Sequence, residues 1–221
     1  MATFVFETMT AAQATSFNGA TDTIVFQNTA SSGAKMSVAY EFTTTAPSAT
    51  SNGGVTVKDV VITDLSDGIS HTFGTGALGT NSFLFPDAST LFVGGTIDDV
   101  SSGDAKASST NDGLFGGLGD DSLFGGGGND VLQGNQGFDT LDGGTGNDTI
   151  FGGQDDDLIN GSSGHDFVNG NKGADTLDYS NDTTGSTLLG GQGDDLIFGG
   201  TGNDFINGNL GNDDIEVSGG G

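Results

Sequence analysis

Between residues 116 and 178 the chain divides into nines without remainder: GGLGDDSLF, GGGGNDVLQ, GNQGFDTLD, GGTGNDTIF, GGQDDDLIN, GSSGHDFVN and GNKGADTLD. After an interruption at 179–189, three more units follow, GGQGDDLIF, GGTGNDFIN and GNLGNDDIE. Position one is Gly in all ten units, position six is Asp in all ten, and position eight is always Leu, Ile or Val. No other feature narrows the fold so far. Thirty of the 42 glycines lie after residue 115, a density that without a period would mean disorder. A strict period instead means a stack of small units, none able to bury an apolar face alone.

Each position has a physical task. Glycine at positions one and four is expected to supply the left-handed backbone angles of a tight turn. Where position two is not Gly it is Asn135, Asn171, Asn209 or Ser162, and Asn tolerates such angles best. Positions seven to nine predict a short strand with the position-eight aliphatic pointing inward. One inward side chain per nonapeptide makes a thin core, too small to hold the fold by itself.

A nonapeptide therefore makes one turn and one strand, the next returns on the opposite side, and eighteen residues close one coil. Residues eighteen apart become neighbours in a parallel ladder, about 4.8 Å from each other. That register predicts two columns of carboxylate. Asp121, Asp139, Asp157 and Asp175 stack on one edge and Asp130, Asp148 and Asp166 on the other, with Asp195, Asp204 and Asp213 beyond the interruption. The chain has 30 carboxylates against four lysines, a net charge of -26, so it offers little counter-charge of its own. A cation accepting oxygens at about 2.3 to 2.6 Å fits between stacked carboxylates, helped by turn carbonyls. All-oxygen ligation in a flexible glycine turn favours several calcium ions over zinc, copper or the rigidly octahedral magnesium. The same charge excludes nucleic acid and anionic lipid as partners. With no cysteine, there is no thiolate metal site, thiol nucleophile or disulfide.

The nonapeptide pattern GGxGxDx(aliphatic)x resembles the repeats-in-toxin (RTX) family, and within it bacterial surface-layer and biofilm-matrix proteins. The resemblance implies a calcium-binding parallel β-roll with ions between successive turns on each edge. It also implies a chain that is loose without calcium and leaves the cell uncleaved through a one-step type I channel, folding outside as binding energy becomes folding energy. Residues 1–13 agree, having neither a basic region nor a continuous apolar stretch and so no cleaved signal. The apolar runs are too short to span a bilayer. Relatives usually carry a longer C-terminal secretion segment, so the export signal is expected within the last repeats and residues 217–221.

Four departures from the pattern carry expectations of their own. Asp155, in place of the fourth-position Gly, is expected either to distort its turn or to add a ligand. His165 at position five reads as an exposed turn residue rather than a transition-metal ligand. Residues 179–189 break phase by two and lack the sixth-position Asp, with Leu188 as the strand aliphatic, so the coil is expected to bulge there and continue. Upstream, 107–115 keeps Asp112 and Leu114 in phase as a worn first repeat, which adds Asp112 to the calcium ligands.

Residues 1–103 follow a different grammar. The stretch 35–42 alternates, with Met36, Val38, Tyr40 and Phe42 on one face, and predicts a half-buried strand. Similar short runs lie at 3–6, 23–27, 55–65, 82–85 and 90–93, with turn-rich stretches such as 43–54 between them. The expected architecture is all-β: an N-terminal sandwich-like domain over 1–103, a linker or capping repeat over 104–115, and the roll over 116–221. No helix has strong support. This half holds one histidine, His71, and no His-Glu-x-x-His motif, nucleophile elbow or phosphate loop. Asp98 and Asp99 read as solvated turn residues or a degenerate calcium turn with Gly94 and Gly95. The chain is therefore not expected to be an enzyme.

The function expected from these features is an extracellular structural protein that folds and self-assembles on binding calcium. Its partners would be further copies of itself and, in addition, cell-surface or matrix polysaccharide. Phe124, Phe151 and Phe198 at position nine and Phe167 and Phe205 at position seven are expected to point outward as contact spots. A monomeric calcium-binding adhesin, or an accessory module of a secreted hydrolase or toxin, is the alternative.

Overall fold

The computed structural model describes residues 3–15, 23–25, 36–45, 54–66, 68–74, 83–84, 91–93, 100–102 and 110–218. Two seven-stranded parallel sheets dominate it. The first takes strands β7 (Leu91–Val93), β9 (Gly113–Leu118), β11 (Val131–Gln136), β13 (Thr149–Gln154), β15 (Phe167–Lys172), β17 (Thr187–Gln192) and β19 (Phe205–Leu210), each beside the next. The second takes β8 (Val100–Ser102), β10 (Ser122–Phe124), β12 (Thr140–Asp142), β14 (Leu158–Asn160), β16 (Thr176–Asp178), β18 (Leu196–Gly199) and β20 (Asp214–Val217) in the same way. The chain alternates between the sheets, so the fold is a parallel β-roll.

The eighteen-residue coil is present as predicted: Leu123 pairs with Leu141, Leu141 with Ile159, and Leu132 with Ile150. Position-eight side chains from Leu114 to Ile197 are fully buried and form one continuous core between the two sheets. Strand positions seven and nine face outward, which leaves two core aliphatics for each eighteen ordered residues. Ordering that much backbone is costly, so the roll depends on what its turns contribute.

The coil crosses the interruption without losing register. Val168 pairs with Leu188, twenty residues on, and Leu188 pairs with Ile206. The two extra residues lie in the turn between β16 and β17, and Leu188 is buried as expected.

At the other end the roll begins earlier than residue 104. Phe92 pairs with Leu114 and Ser101 with Leu123, so β7 and β8 are coil strands although the sequence reading placed them in the N-terminal domain. Their spacing to the next coil is four residues longer than the repeat; Asp99 stands at the sixth position ahead of β8, but position eight there is Ser101, and β7 has Thr90 at its sixth position, which hid the coil from a search for the motif. Asp112 and Leu114 are in phase, but this unit is an interior coil rather than the cap. Gly94, Gly95, Asp98 and Asp99 lie outside the described residues.

The N-terminal half is β-rich, and among its described residues one small sheet is antiparallel and another parallel. β3 (Met36–Thr45), β4 (Gly54–Asp64) and β5 (Ser70–Gly74) form a meander with a bulge between Glu41 and Phe42. β1 (Thr3–Val5), β2 (Thr23–Val25) and β6 (Phe83–Leu84) pair in parallel. An unexpected short helix, α1 (Ala11–Thr15), follows β1; too short to show an apolar period, it has its start closed by the Thr10 and Gln13 side chains. The meander strand alternates as predicted where described, with Met36 and Val38 buried. Phe6, Met9, Ile24, Met36 and Ile62 pack in one cluster with Phe115 and Leu118 of β9, so this half sits against the outer face of the roll's first sheet.

Candidate metal centre

The turns of the roll place every predicted aspartate in a column. Each sixth-position backbone N–H donates to the carboxylate Oδ1 of the sixth-position Asp one coil further on. On one edge these bonds run from Asp121 to Asp139 (2.8 Å), Asp139 to Asp157 (2.9 Å), Asp157 to Asp175 (2.8 Å), Asp175 to Asp195 (2.9 Å) and Asp195 to Asp213 (3.1 Å). On the other they run from Asp112 to Asp130, Asp130 to Asp148 and Asp148 to Asp166, all at 2.8 Å. There the column meets Ser186: its Oγ accepts from Asp166 at 3.1 Å, and its own N–H donates to Asp204 at 2.8 Å. Asp112 through Asp195 are buried, whereas Asp204 and Asp213 in the last coil are half-buried.

One oxygen of each carboxylate is thus committed to the ladder; the other is not. Oδ2 of Asp139, Asp148, Asp157, Asp175 and Asp195 is buried without a hydrogen-bond partner. A buried, unpartnered carboxylate oxygen is costly and calls for a ligand. Burial pushes Asp139, Asp148 and Asp175 up to about 7 and Asp157 up to about 8, against a backbone N–H bond that favours the charged form. Asp166 and Asp195 are raised for the same leading reason. Like charges in the column add to it, Asp175 and Asp139 acting on Asp157.

The first-position glycines show what the space beside those oxygens is for. Left-handed backbone falls at positions two and four, as in Asn135 (φ 85) and Gly137 (φ 121), and not at position one. This corrects the task expected of the first Gly. A Cβ on Gly134 would lie 2.7 Å from the Gly152 carbonyl oxygen and closer still to Asp139 Oδ2. The same carboxylate-plus-carbonyl cradle surrounds Gly116, Gly125, Gly152, Gly170 and Gly190. Position one is Gly because two oxygens converge where a side chain would start. An oxygen-only cradle with a carboxylate that burial disfavours suits a hard cation such as calcium. Among the described residues no three carboxylate or imidazole groups converge, so the rest of a calcium shell falls to the cradle carbonyls and to water.

The structure resolves the remaining departures. Asp155 adopts φ 72 and simply takes the left-handed conformation of the glycine it replaces, so its turn is not distorted. His165 is exposed and its Nδ1 lies 2.8 Å from the Gly185 carbonyl oxygen. His71 packs edge-on against Phe6 and its Nε2 lies 2.7 Å from the Phe6 carbonyl oxygen, a structural role.

Sequence reasoning missed a second ladder at position five. Asn129 N–H donates to Asn111 Oδ1, Asn147 to Asn129, and His165 to Asn147, at 2.7 to 2.9 Å. Asp120, Asp156 and Asp194 accept from Phe138, Ala174 and Asn212 in the same way. These bonds run opposite in direction to the sixth-position ladder, so adjacent residues clasp each turn to both neighbours. The enrichment of Asn and Asp at position five is visible in the sequence, but nothing there marks it as a ladder.

Columns of buried carboxylates beside oxygen cradles, along both edges of a parallel roll, define a calcium-binding solenoid. The RTX calcium-binding nonapeptide repeat, described in sets of four copies, matches residues 107–141, 142–177 and 181–220, about half of the chain. The chain belongs to this family and binds several calcium ions. Comparison with curated proteins and with solved structures found no match.

Proposed function

We propose that this protein is an extracellular, non-catalytic structural protein that folds on calcium and then assembles with copies of itself. In this reading Asp112, Asp121, Asp130, Asp139, Asp148, Asp157, Asp166, Asp175, Asp195, Asp204 and Asp213 line the calcium columns. The chain stays loose in the low calcium of the cell and closes its coils outside. Among the described residues no helix is long and apolar enough to cross a membrane.

The observation that carries self-assembly is an apolar stripe on the outer face of the first sheet. Phe151, Phe167, Leu189 and Phe205 occupy successive strands β13, β15, β17 and β19 at outward positions. The Phe151 and Phe167 rings are 6.0 Å apart between centroids, and Phe167 and Phe205 are exposed. Phe124 is exposed on the second sheet, while Phe151 and Phe198 are half-buried. The stripe continues the strip that the N-terminal half covers at Phe115 and Leu118. Contiguous apolar surface of this kind mediates association.

Sedimentation with and without millimolar calcium tests the reading. Calcium-dependent growth to large species, lost in a Phe167→Ser/Phe205→Ser variant that still gives the β-roll circular dichroism signal, is the expected result. A calcium-loaded monomer at all concentrations would overturn it in favour of a monomeric adhesin.

A further inference from the structure

The interruption replaces a cation cradle with a side chain. On the edge that runs from the second sheet to the first, turns begin with Gly125, Gly143 and Gly161; the next begins with Tyr179. Its backbone keeps the ladder, since Tyr179 N–H donates to the Phe198 carbonyl as Gly125 and Gly161 donate to Asp142 and Asp178. Its ring turns inward and is fully buried. Around Gly161 the three atoms nearest a built Cβ all belong to that ring, where at Gly116, Gly125 and Gly134 they include a sixth-position carboxylate and a carbonyl oxygen. The Tyr179 hydroxyl is buried without a hydrogen-bond partner.

The rest of the same turn satisfies itself. Asp182 is buried, but it is not in the column. Its Oδ1 accepts from Thr184 N–H at 2.9 Å and Thr184 Oγ1 at 2.5 Å, and its Oδ2 from Gly185 N–H at 3.3 Å and Ser186 Oγ at 3.0 Å. Burial alone would raise Asp182, yet these donors outweigh it and hold the carboxyl below its usual range. At the sixth position stands Ser186, which keeps the ladder bonds with a hydroxyl and brings no charge. Every device that other turns leave open for an ion is here closed by the chain itself.

We propose that the turn spanning 179–186 is a calcium-free clasp: the Tyr179 ring occupies the cradle, Ser186 removes the carboxylate, and Asp182 holds the loop shut through hydrogen bonds. The calcium column on this edge therefore breaks after Asp148 and Asp166, while the opposite edge continues unbroken through Asp175, Asp195 and Asp213. The two edges of one roll carry different numbers of ions. The inference rests on the reading that the sixth-position columns hold calcium.

Equilibrium dialysis of the full chain against radioactive calcium at pH 7.5 tests this, with circular dichroism to check folding. Asp182→Asn keeps the number of bound ions, because its carboxylate serves only the loop. The Tyr179→Gly/Ser186→Asp variant gains about one ion per chain or more, because a cradle and a charge are restored together. Asp157→Asn, in the unbroken column, loses about one or more. Loss of an ion in Asp182→Asn overturns the clasp even if the double variant does not fold. A folded double variant that gains none overturns it too. An unchanged count in Asp157→Asn overturns the column reading beneath it.

Discussion

Asp148 shows what a single sixth-position residue must do. Its Oδ1 takes the N–H of Asp130 at 2.8 Å, and its Oδ2 is buried with nothing to accept from. Asn at this position keeps one acceptor and loses the charge. Asp148→Asn is therefore expected to weaken calcium binding by roughly tenfold or more, whereas Asp142→Asn, on the outer face of β12, changes it little. Calcium titration followed by circular dichroism checks both, and equal behaviour of the two variants contradicts the eighteen-residue column. The raised carboxyls also set a pH dependence for the metal-free chain. Asp139, Asp148, Asp157 and Asp175 titrate near 7 to 8 when folded, against an ordinary value of 3.8. A raised folded value contributes stability that is complete below the unfolded value and is lost as pH rises through the folded one. Without calcium, acidification from pH 8 to pH 4.5 should thus increase the β signal. With calcium present the same acidification should weaken binding, because protons compete for the ligands. A metal-free spectrum that does not change over this range contradicts the burial of these groups.

At the scale of the turn and strand, the two opposed ladders decide stability once calcium is bound. Asn147→Ala removes the acceptor for His165 N–H at 2.9 Å and is expected to cost about 0.5 to 1.5 kcal/mol in urea unfolding of the calcium-loaded protein. Phe138→Ala, at the same position of another unit, removes an exposed ring that accepts no such bond, and should stay within about 0.5 kcal/mol of wild type. The strands themselves were legible, because the aliphatic at position eight repeats without exception. The glycines were legible only in part. Counting Gly at position one shows that a side chain is excluded there, but backbone freedom and crowding give the same residue. Only the stacked coil separates them, since the obstructing oxygens of Asp139 and Gly152 come from elsewhere in the unit and from the next coil. The position-five ladder was hidden for a related reason: its donors are backbone groups, which leave no mark on sequence.

Across the whole molecule, the carboxylate columns run the length of the solenoid, and the N-terminal half packs against its first coils. Phe115, 3 % exposed, joins β9 to the cluster of Phe6, Met9, Ile24 and Ile62. Phe115→Ala is expected to cost about 3 to 5 kcal/mol and to uncouple the halves, seen as a second transition in thermal unfolding of the calcium-loaded chain. The starting coil, β7 and β8, keeps only a worn motif, with Ser101 where the inward aliphatic should stand; the sequence grouped it with the N-terminal half, and pairing with β9 and β10 placed it in the roll. The period alone determined the eighteen-residue coil, the inward aliphatics, the two aspartate columns and the need for a cation, because each follows from residues at constant spacing in a parallel ladder. Tertiary structure decided where the roll begins, how the N-terminal strands pair, and what fills the cradle at Gly161. Those depend on contacts between segments with no shared period, as when the Tyr179 ring enters the space beside a glycine eighteen residues earlier.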